Sequence, residues 1–277
     1  MDWNKAKNLI IIFLAALNVF LFVCNKIYVT DRYYMSNERV RNITEVLEKS
    51  EITLDCSFSR EFSPKRQLVL GQPRYDHEDL RDMFMKDAKH AKFSMEDSRF
   101  VYRTDWETLI INILDGYVSY KNRDITNNDP DPILSEALCE GFLLKMGLAD
   151  FTLDSGEPYK TDDGLTFEYR QKYNGYIINS NSAVISVGDN GISSIKYSYA
   201  PPTGFSDEKR QICAEDEALL TCMYELQNIY GYSPLSITKI DLVYLQTEKN
   251  LAVPFYRIYA DNAPVLVNAY DNTVYRL

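Results

Sequence analysis

The sequence predicts an α+β protein: one N-terminal transmembrane helix, then an extracytoplasmic domain of repeated helix plus antiparallel β-meander units. Three observations predict it. Residues 9–24 form an apolar run whose one strongly polar member is Asn18. Three later segments each read as apolar strand, tight polar turn, second strand. A helix pattern stands upstream of each of them, and helix followed by antiparallel strands, repeated, is the α+β arrangement.

The apolar run covers roughly 24 Å at the helical rise of about 1.5 Å per residue. Asn8, Asn25 and the snorkelling stems of Lys7 and Lys26 extend it to a full span. Lys5 and Lys7 lie on the short side, so the positive-inside bias places the N-terminus in the cytoplasm. A cleaved signal peptide needs small residues just after the apolar core, and Phe22-Val23-Cys24-Asn25 does not supply them. A lipoprotein reading of Cys24 meets the bulky Val23. An uncut anchor is therefore the preferred reading of the three. Asn18, at mid-depth, is either bonded to its own helix or hydrogen-bonded to another transmembrane helix. Ala15 and Ala16 are small enough to let such a helix approach, and Trp3 suits the membrane interface.

Beyond the anchor, Ser36 caps a helix over 37–49 with Val40, Ile43, Val46 and Leu47 on one side. Asp76 caps a helix over 77–91, with Leu80, Met83, Phe84 and Ala88 apolar. A strand over 100–106 leads to the hairpin 109–121, turned at Asp115-Gly116. Asp131 before Pro132 opens the next helix; Ile133, Ala137, Leu138, Phe142 and Leu144 follow, and Gly147 stops it. A strand over 173–180 precedes the hairpin 183–198, turned at Asp189-Asn190-Gly191. Residues 214–230 form the last helix, with Leu219, Met223, Leu226, Ile229 and Tyr230 on a stripe ended by Gly231. A strand over 255–260 and the hairpin 265–277, turned at Asp271-Asn272, finish the chain. The polar stretch 122–132 and Pro201-Pro202-Thr203-Gly204 mark breaks. The expected organisation is a cytoplasmic tail over 1–7, an anchor over 8–26, a juxtamembrane linker and helix over 27–52, and α+β units over 53–125, 126–204 and 205–277. The juxtamembrane helix is placed to carry position from anchor to domain.

Charge and chemistry narrow the function. The net charge is −10, and the first 26 residues carry +2, so the remainder carries −12. Such a surface repels nucleic acid, which is not an expected partner. With two histidines, His77 and His90, and no His-Glu-x-x-His, no zinc-protease helix is present. Nucleophile elbows, Walker loops and dinucleotide fingerprints are absent from the sequence. Asp115, Asp189 and Asp271 lack the alternating acidic loop that calcium needs and read as turn formers. Asp124, Asp129 and Asp131 read as a solvated loop. Four cysteines lie beyond the anchor: Cys56, Cys139, Cys213 and Cys222. Their pairing is open, with buried thiols the plainer reading; a Cys213–Cys222 bridge would have to span roughly 13 Å along one helix. No catalytic, cofactor-binding or metal-binding residue is expected, and the chain reads as a non-enzyme.

Three places carry a family resemblance. The opening Met1-Asp2-Trp3-Asn4-Lys5-Ala6-Lys7 is similar to an MDW-x-K-x-K start set directly against an anchor. The anchor holds Asn18 within Leu17-Asn18-Val19-Phe20-Leu21. The C-terminal meander reads Val253-Pro254-Phe255-Tyr256-Arg257-Ile258, then Val267-Asn268-Ala269-Tyr270-Asp271. Together they resemble the YycI (WalI) family. The family's Trp near Phe255 or Tyr256 is missing here, and Asp271-Asn272-Thr273 replaces a Gly turn. The resemblance implies an extracellular α+β domain related to the C-terminal part of YycH. It implies association with a YycH-like protein and a WalK-like sensor histidine kinase in a Gram-positive cell membrane, and control of cell-wall turnover through that kinase. Kinase control through helices packed in lipid would set Asn18, Ala15 and Ala16 against a partner helix, with Trp3, Lys5 and Lys7 at the membrane interface. Two other classes stay open: an anchored inhibitor or chaperone of exported wall enzymes, similar to PepSY modules, and an exported hydrolase with a carboxylate pair.

Overall fold

The computed structural model describes residues 3–72, 76–112, 114–126, 129–154, 157–231, 233–260 and 263–275. In chain order its first elements are α1 (Trp3–Arg32), α2 (Asn37–Lys49), β1 (Ile52–Leu54), β2 (Lys65–Leu70), α3 (His77–Phe84), β3 (Lys92–Glu96), β4 (Arg99–Arg103), β5 (Glu107–Asn112), β6 (Tyr117–Asn122) and α4 (Pro132–Lys145). Then come β7 (Phe151–Leu153), β8 (Tyr159–Thr161), β9 (Gly164–Tyr173), β10 (Tyr176–Gly188), β11 (Gly191–Ser198) and β12 (Pro202–Arg210). The last are α5 (Glu215–Tyr230), β13 (Leu235–Glu248), β14 (Leu251–Ala260), β15 (Ala263–Asn268) and β16 (Val274–Tyr275). The α+β class and the single N-terminal apolar helix stand as the sequence predicts.

Contacts gather the chain into two compact units. One comprises Met1–Lys65, Arg210–Asp241 and Tyr256–Leu277; the other comprises Arg66–Lys209 and Leu242–Phe255. The helix-and-hairpin repeats do not follow these units. The first two repeats lie in the second unit, and β13 and β14 of the third contribute to both.

In the first unit α2 packs along α5. Ser36 accepts the Arg39 N–H at 3.3 Å, as a cap should, and Ile43 and Leu47 are buried. On α5 the stripe is buried at Leu219, Met223 and Leu226. Ile229 is exposed, and the side chain of Tyr230 lies outside the described ones. The stop at Gly231 has φ +70°, which glycine adopts without a Cβ penalty. Arg39 ties the two helices together with a forked pair to Asp216 (2.8 and 2.7 Å) and a bond to Glu217 at 3.1 Å. Strand β1 pairs in parallel with the start of β13, and the hairpin β15–β16 closes Leu266 on Tyr275 and Val267 on Val274.

In the second unit the strands run β12-β2-β14-β13-β10-β11-β6-β5-β4-β3. Strand β10 is the hub. Its register places β9 antiparallel along one edge, while β13 and β11 meet the other. Strands β7 and β8 add to the far edge of β9. The core lies between this sheet and two helices: Leu80 and Phe84 from α3 and Cys139 and Leu143 from α4 meet Tyr120, Phe167, Tyr169, Ile185, Ile195 and Tyr197. Asp76 accepts from Glu78 N–H, and Asp131 from Ile133 and Leu134 N–H, so both predicted caps form.

Several local expectations change. The helix predicted over 77–91 ends at Phe84, because Met85 turns extended (ψ 131°) and only a short 3-10 turn, Ala88–His90, follows. The strand predicted over 173–180 is two strands. Asn174 (φ +48°) and Gly175 (φ +84°) make a tight turn between β9 and β10, and β10 runs unbroken into the next hairpin. The break at Pro201-Pro202 coincides with the start of β12, which tolerates Pro202 as the first residue of a sheet-edge strand. All five cysteines are free thiols; Cys139 and Cys222 are buried, and burial pushes each thiol up to about 12.

Candidate interaction surfaces

Helix α1 contains a span, Ala6–Asn25, that is 20 residues long and entirely unburied within the chain. At 1.5 Å per residue it reaches about 30 Å, the thickness of a hydrocarbon core. This is the form of a single-pass membrane anchor. The helical repeat sorts its residues by face. Asn8, Ile11, Ala15, Asn18, Phe22 and Asn25 follow one another in steps of three and four, so they share one seam. Ala16 does not: two residues from Asn18 it lies about 160° around the helix axis. Ala15 therefore lies on the side of Asn18 and Ala16 on the opposite side. Trp3 and Lys7 are exposed at the N-terminal end of α1; the side chain of Lys5 lies outside the described ones.

The end of α1 is clamped to the first unit. Met35, fully buried, donates its N–H to Arg60 C=O at 2.8 Å, and Phe62 N–H donates to Tyr33 C=O at 3.0 Å. Tyr34 bridges Glu61. The segment after the anchor is therefore held by an isolated bridge and two backbone hydrogen bonds rather than left as a slack linker.

Most of the apolar residues noted on helix α4 face outward. Its inward residues are Ser135, Cys139 and Leu143. Ile133 is 79%, Leu134 72%, Leu138 43% and Leu144 70% exposed. Ala137 and Gly141 lie on the same outer side, and nothing stands within 4 Å of where a Gly141 Cβ would be. The helix is apolar nearly all round, so periodicity could not choose its buried face. Asp131, Glu136 and Glu140 give the outer stripe an acidic margin. Four large aliphatic residues on one helix face form an exposed apolar patch of the kind that marks a protein contact.

Most of the polar residues singled out in the sequence make local structural bonds. Asp271 accepts from both the N–H and the hydroxyl of Thr273, and Asp115 accepts from the Asn112 amide at 2.6 Å. Asp189 receives the Thr126 hydroxyl at 3.1 Å. The acidic loop divides into separate tasks: Asp131 caps α4, Asp129 pairs with Lys160 at 2.6 Å, and Asp124 lines a cleft described below. His77 stacks on Phe100, with ring centroids 4.2 Å apart, and its Nδ1 meets the Tyr102 hydroxyl at 2.6 Å.

One acid missed in the sequence has a shifted proton affinity. Glu215, at the start of α5, is buried and accepts the Ser59 N–H at 2.6 Å. Burial pushes its carboxyl from 4.5 up to about 7. The folded state thus keeps a proton that the unfolded chain releases, so the contribution of Glu215 to stability is greatest below about pH 4.5 and declines up to about pH 7. The full decline is on the order of 3 kcal/mol. Glu215→Gln keeps the acceptor and removes the charge. It is expected to unfold at a higher temperature than the parent at pH 8 and to lose the decline. Thermal melts from pH 5 to 8 check this; an unchanged decline in the variant would assign it to another group.

Comparison with known proteins places the whole. No curated protein matches significantly. Among solved structures, an uncharacterized protein from Eubacterium rectale ATCC 33656 is similar at a TM-score of 0.52 and 12% identity, over 82% of this chain and 91% of that one. YycH from Bacillus subtilis aligns at a TM-score of 0.49 and 12% identity, over 74% of this chain and 54% of that one. The Bacillus megaterium YpeB C-terminal domain aligns at 0.41 and 13% identity, over 75% and 99%. The first of these shows a shared fold. The family model described as YycI protein matches residues 31–270, which is most of the sequence, and the chain therefore belongs to the YycI family, regulatory proteins of two-component systems.

Proposed function

We propose that this protein is a non-enzymatic regulator of a WalK-like sensor histidine kinase, acting with a YycH-like partner to control cell-wall metabolism. It is a single-pass protein of a Gram-positive cell membrane, with its N-terminus in the cytoplasm and the bulk of the chain outside. One observation carries the reading: among the described residues, two large exposed apolar surfaces lie on helices, a membrane-length helix and the outer face of α4. The first meets a helix within the bilayer and the second a protein outside it.

In the bilayer the seam holding Ala15 and Asn18 faces a partner helix. A side-chain amide at mid-depth has no water to bond, and a hydrogen bond across helices contributes about 0.6–2 kcal/mol. Ala15 lets the two backbones approach. Trp3, Lys5 and Lys7 fix the depth of the helix at the cytoplasmic interface. Outside, α4 docks on the YycH-like partner, and its acidic margin selects an apolar face bordered by Lys or Arg. Regulation then requires only that the complex bind one kinase state more tightly than the other, since a ligand shifts an equilibrium by its difference in affinity. The paired segment 33–36 carries a displacement of the anchor into α2 and α5 without slack.

Asn18→Leu is expected to reduce co-purification of the kinase from membranes by about 3- to 30-fold while leaving the protein in the membrane fraction. Quantitative pull-down from crosslinker-free membranes measures it. An unchanged yield would remove Asn18 from the contact.

A further inference from the structure

We infer that the cleft beside Trp106 is a binding site for a neutral oligosaccharide of two or three rings. The cleft holds about 720 Å³ and lies where the turn after β4, the end of β6 and the segment after α3 converge. That volume is in the range of small-ligand sites, about 300–1,000 Å³.

The walls are prepared rather than incidental. Trp106 is 59% exposed, yet its backbone is fixed. Thr104 Oγ1 accepts the Glu107 N–H at 2.9 Å and the Trp106 N–H at 3.4 Å, Thr104 N–H donates to Glu107 C=O at 2.9 Å, and Arg123 N–H donates to Trp106 C=O at 2.9 Å. An indole held out to water on a rigid turn loses little entropy when a flat apolar surface stacks on it. Glu107 is buried beneath and anchors the opposite wall, accepting Lys86 N–H at 3.1 Å, Asp87 N–H at 3.3 Å and the Tyr120 hydroxyl at 2.7 Å. Along the mouth stand Lys86, Lys92, Asp105 and Asp124, and among the described residues none of these four side chains forms an ion pair.

The chemistry of that lining selects the ligand. The lining as a whole sets Lys86, Lys92 and Arg103 against Asp87, Asp105, Glu107 and Asp124, with Arg103 paired to Glu96 and His90 to Asp87, so the space meets donors and acceptors of both signs. An anion or a cation would meet repulsion from the groups of its own sign, and an apolar peptide would leave their charges dry and unmatched. A sugar ring presents hydroxyls that both donate and accept at its edge, and a C–H face that stacks on indole. Trp106 and the charged rim fit those two aspects. This site lies apart from α4 and does not rest on the regulator reading.

The test uses the full chain in lipid nanodiscs, carrying Trp3→Phe so that Trp106 is the sole indole. Trisaccharides of β-1,4-linked N-acetylglucosamine and of β-1,4-linked glucose are titrated while Trp emission is recorded. Saturable change with half-saturation at or below about 1 mM for either sugar, weakened at least tenfold by Asp124→Asn or Lys92→Ala, is the expected result. Trp106→Ala, followed by calorimetry, is expected to abolish the heat of binding with an unchanged melting temperature. No saturable response to either sugar up to about 10 mM overturns the assignment. So does a loss of YycH-like partner binding on Trp106→Ala without any sugar response, which would make Trp106 a protein contact instead.

Discussion

Gly164→Ala is expected to lower the melting temperature of the second unit by about 6–20 °C, or to prevent its folding. Gly164 has φ +127° at the turn between β8 and β9, a conformation L residues rarely adopt. A Cβ there would lie 2.2 Å from the Val187 carbonyl oxygen and 2.7 Å from its carbon. The obstacle is backbone in β10, which is paired to β9 and β11 and cannot give way without breaking both registers. Overpacking plus backbone strain of this kind costs about 3–5 kcal/mol. A domain's whole stability is about 5–15 kcal/mol, and each kcal/mol moves the midpoint by about 2–4 °C at this size. Calorimetry or circular dichroism on the purified chain measures the shift. Gly141→Ala is the control: nothing lies within 4 Å of its added Cβ and a helix favours alanine, so its melting temperature should hold or rise. A shift below about 2 °C for Gly164→Ala would show that the β8–β9 turn is not held as described.

Leu134→Glu is expected to weaken capture of the YycH-like partner at least 30-fold, about 2 kcal/mol or more, with the melting temperature unchanged. Leu134 is 72% exposed in the first turn of α4, so the fold loses no packing. Glutamate is a good helix former, and its charge suits a helix N-terminus. In the free protein the change is therefore neutral. In a complex it would place an unpaired carboxylate in a dry apolar contact, beside Asp131 and Glu136 of like charge. Leu144→Glu, at the other end of the helix, should act in the same direction. Pull-down with purified partner gives the affinity ratio. Equal affinity in both variants, with intact fold, would remove α4 from the interface.

Local chemistry made part of this fold readable. The turns at Asp115-Gly116 and Asp189-Asn190-Gly191 gave their hairpins, and Asp76, Asp131-Pro132 and Ser36 gave three helix starts, because each is a short-range signal with its own mechanism. Strand β3 was missed although Asp97 (φ +46°) and Ser98 (φ +64°) form a two-residue turn, since neither residue announces positive φ as Gly would. The Asn174-Gly175 turn did carry that announcement, but the apolar run after it reads equally well as one strand beginning earlier. Strand β13, Leu235–Glu248, alternates imperfectly because its two halves serve different units. The outer face of α4 was hidden for the opposite reason. Surplus apolarity, rather than too little, erased the contrast between inside and outside. The anchor residues were legible as a length of apolar helix, while the exclusion of Ala16 from the face of Asn18 follows from helical geometry alone. The Trp106 cleft could not be read at all, since its walls come from segments up to about forty residues apart in sequence.

Site-specific photocrosslinking from position 18, in intact membranes of the source bacterium, bears most directly on the regulator account. An anchored regulator gives a covalent adduct with another membrane-spanning protein, identified by mass spectrometry as a sensor kinase or a YycH-like chain. Recovery of the protein from the medium with its N-terminus beyond Asn25, or adducts to lipid alone, would contradict it.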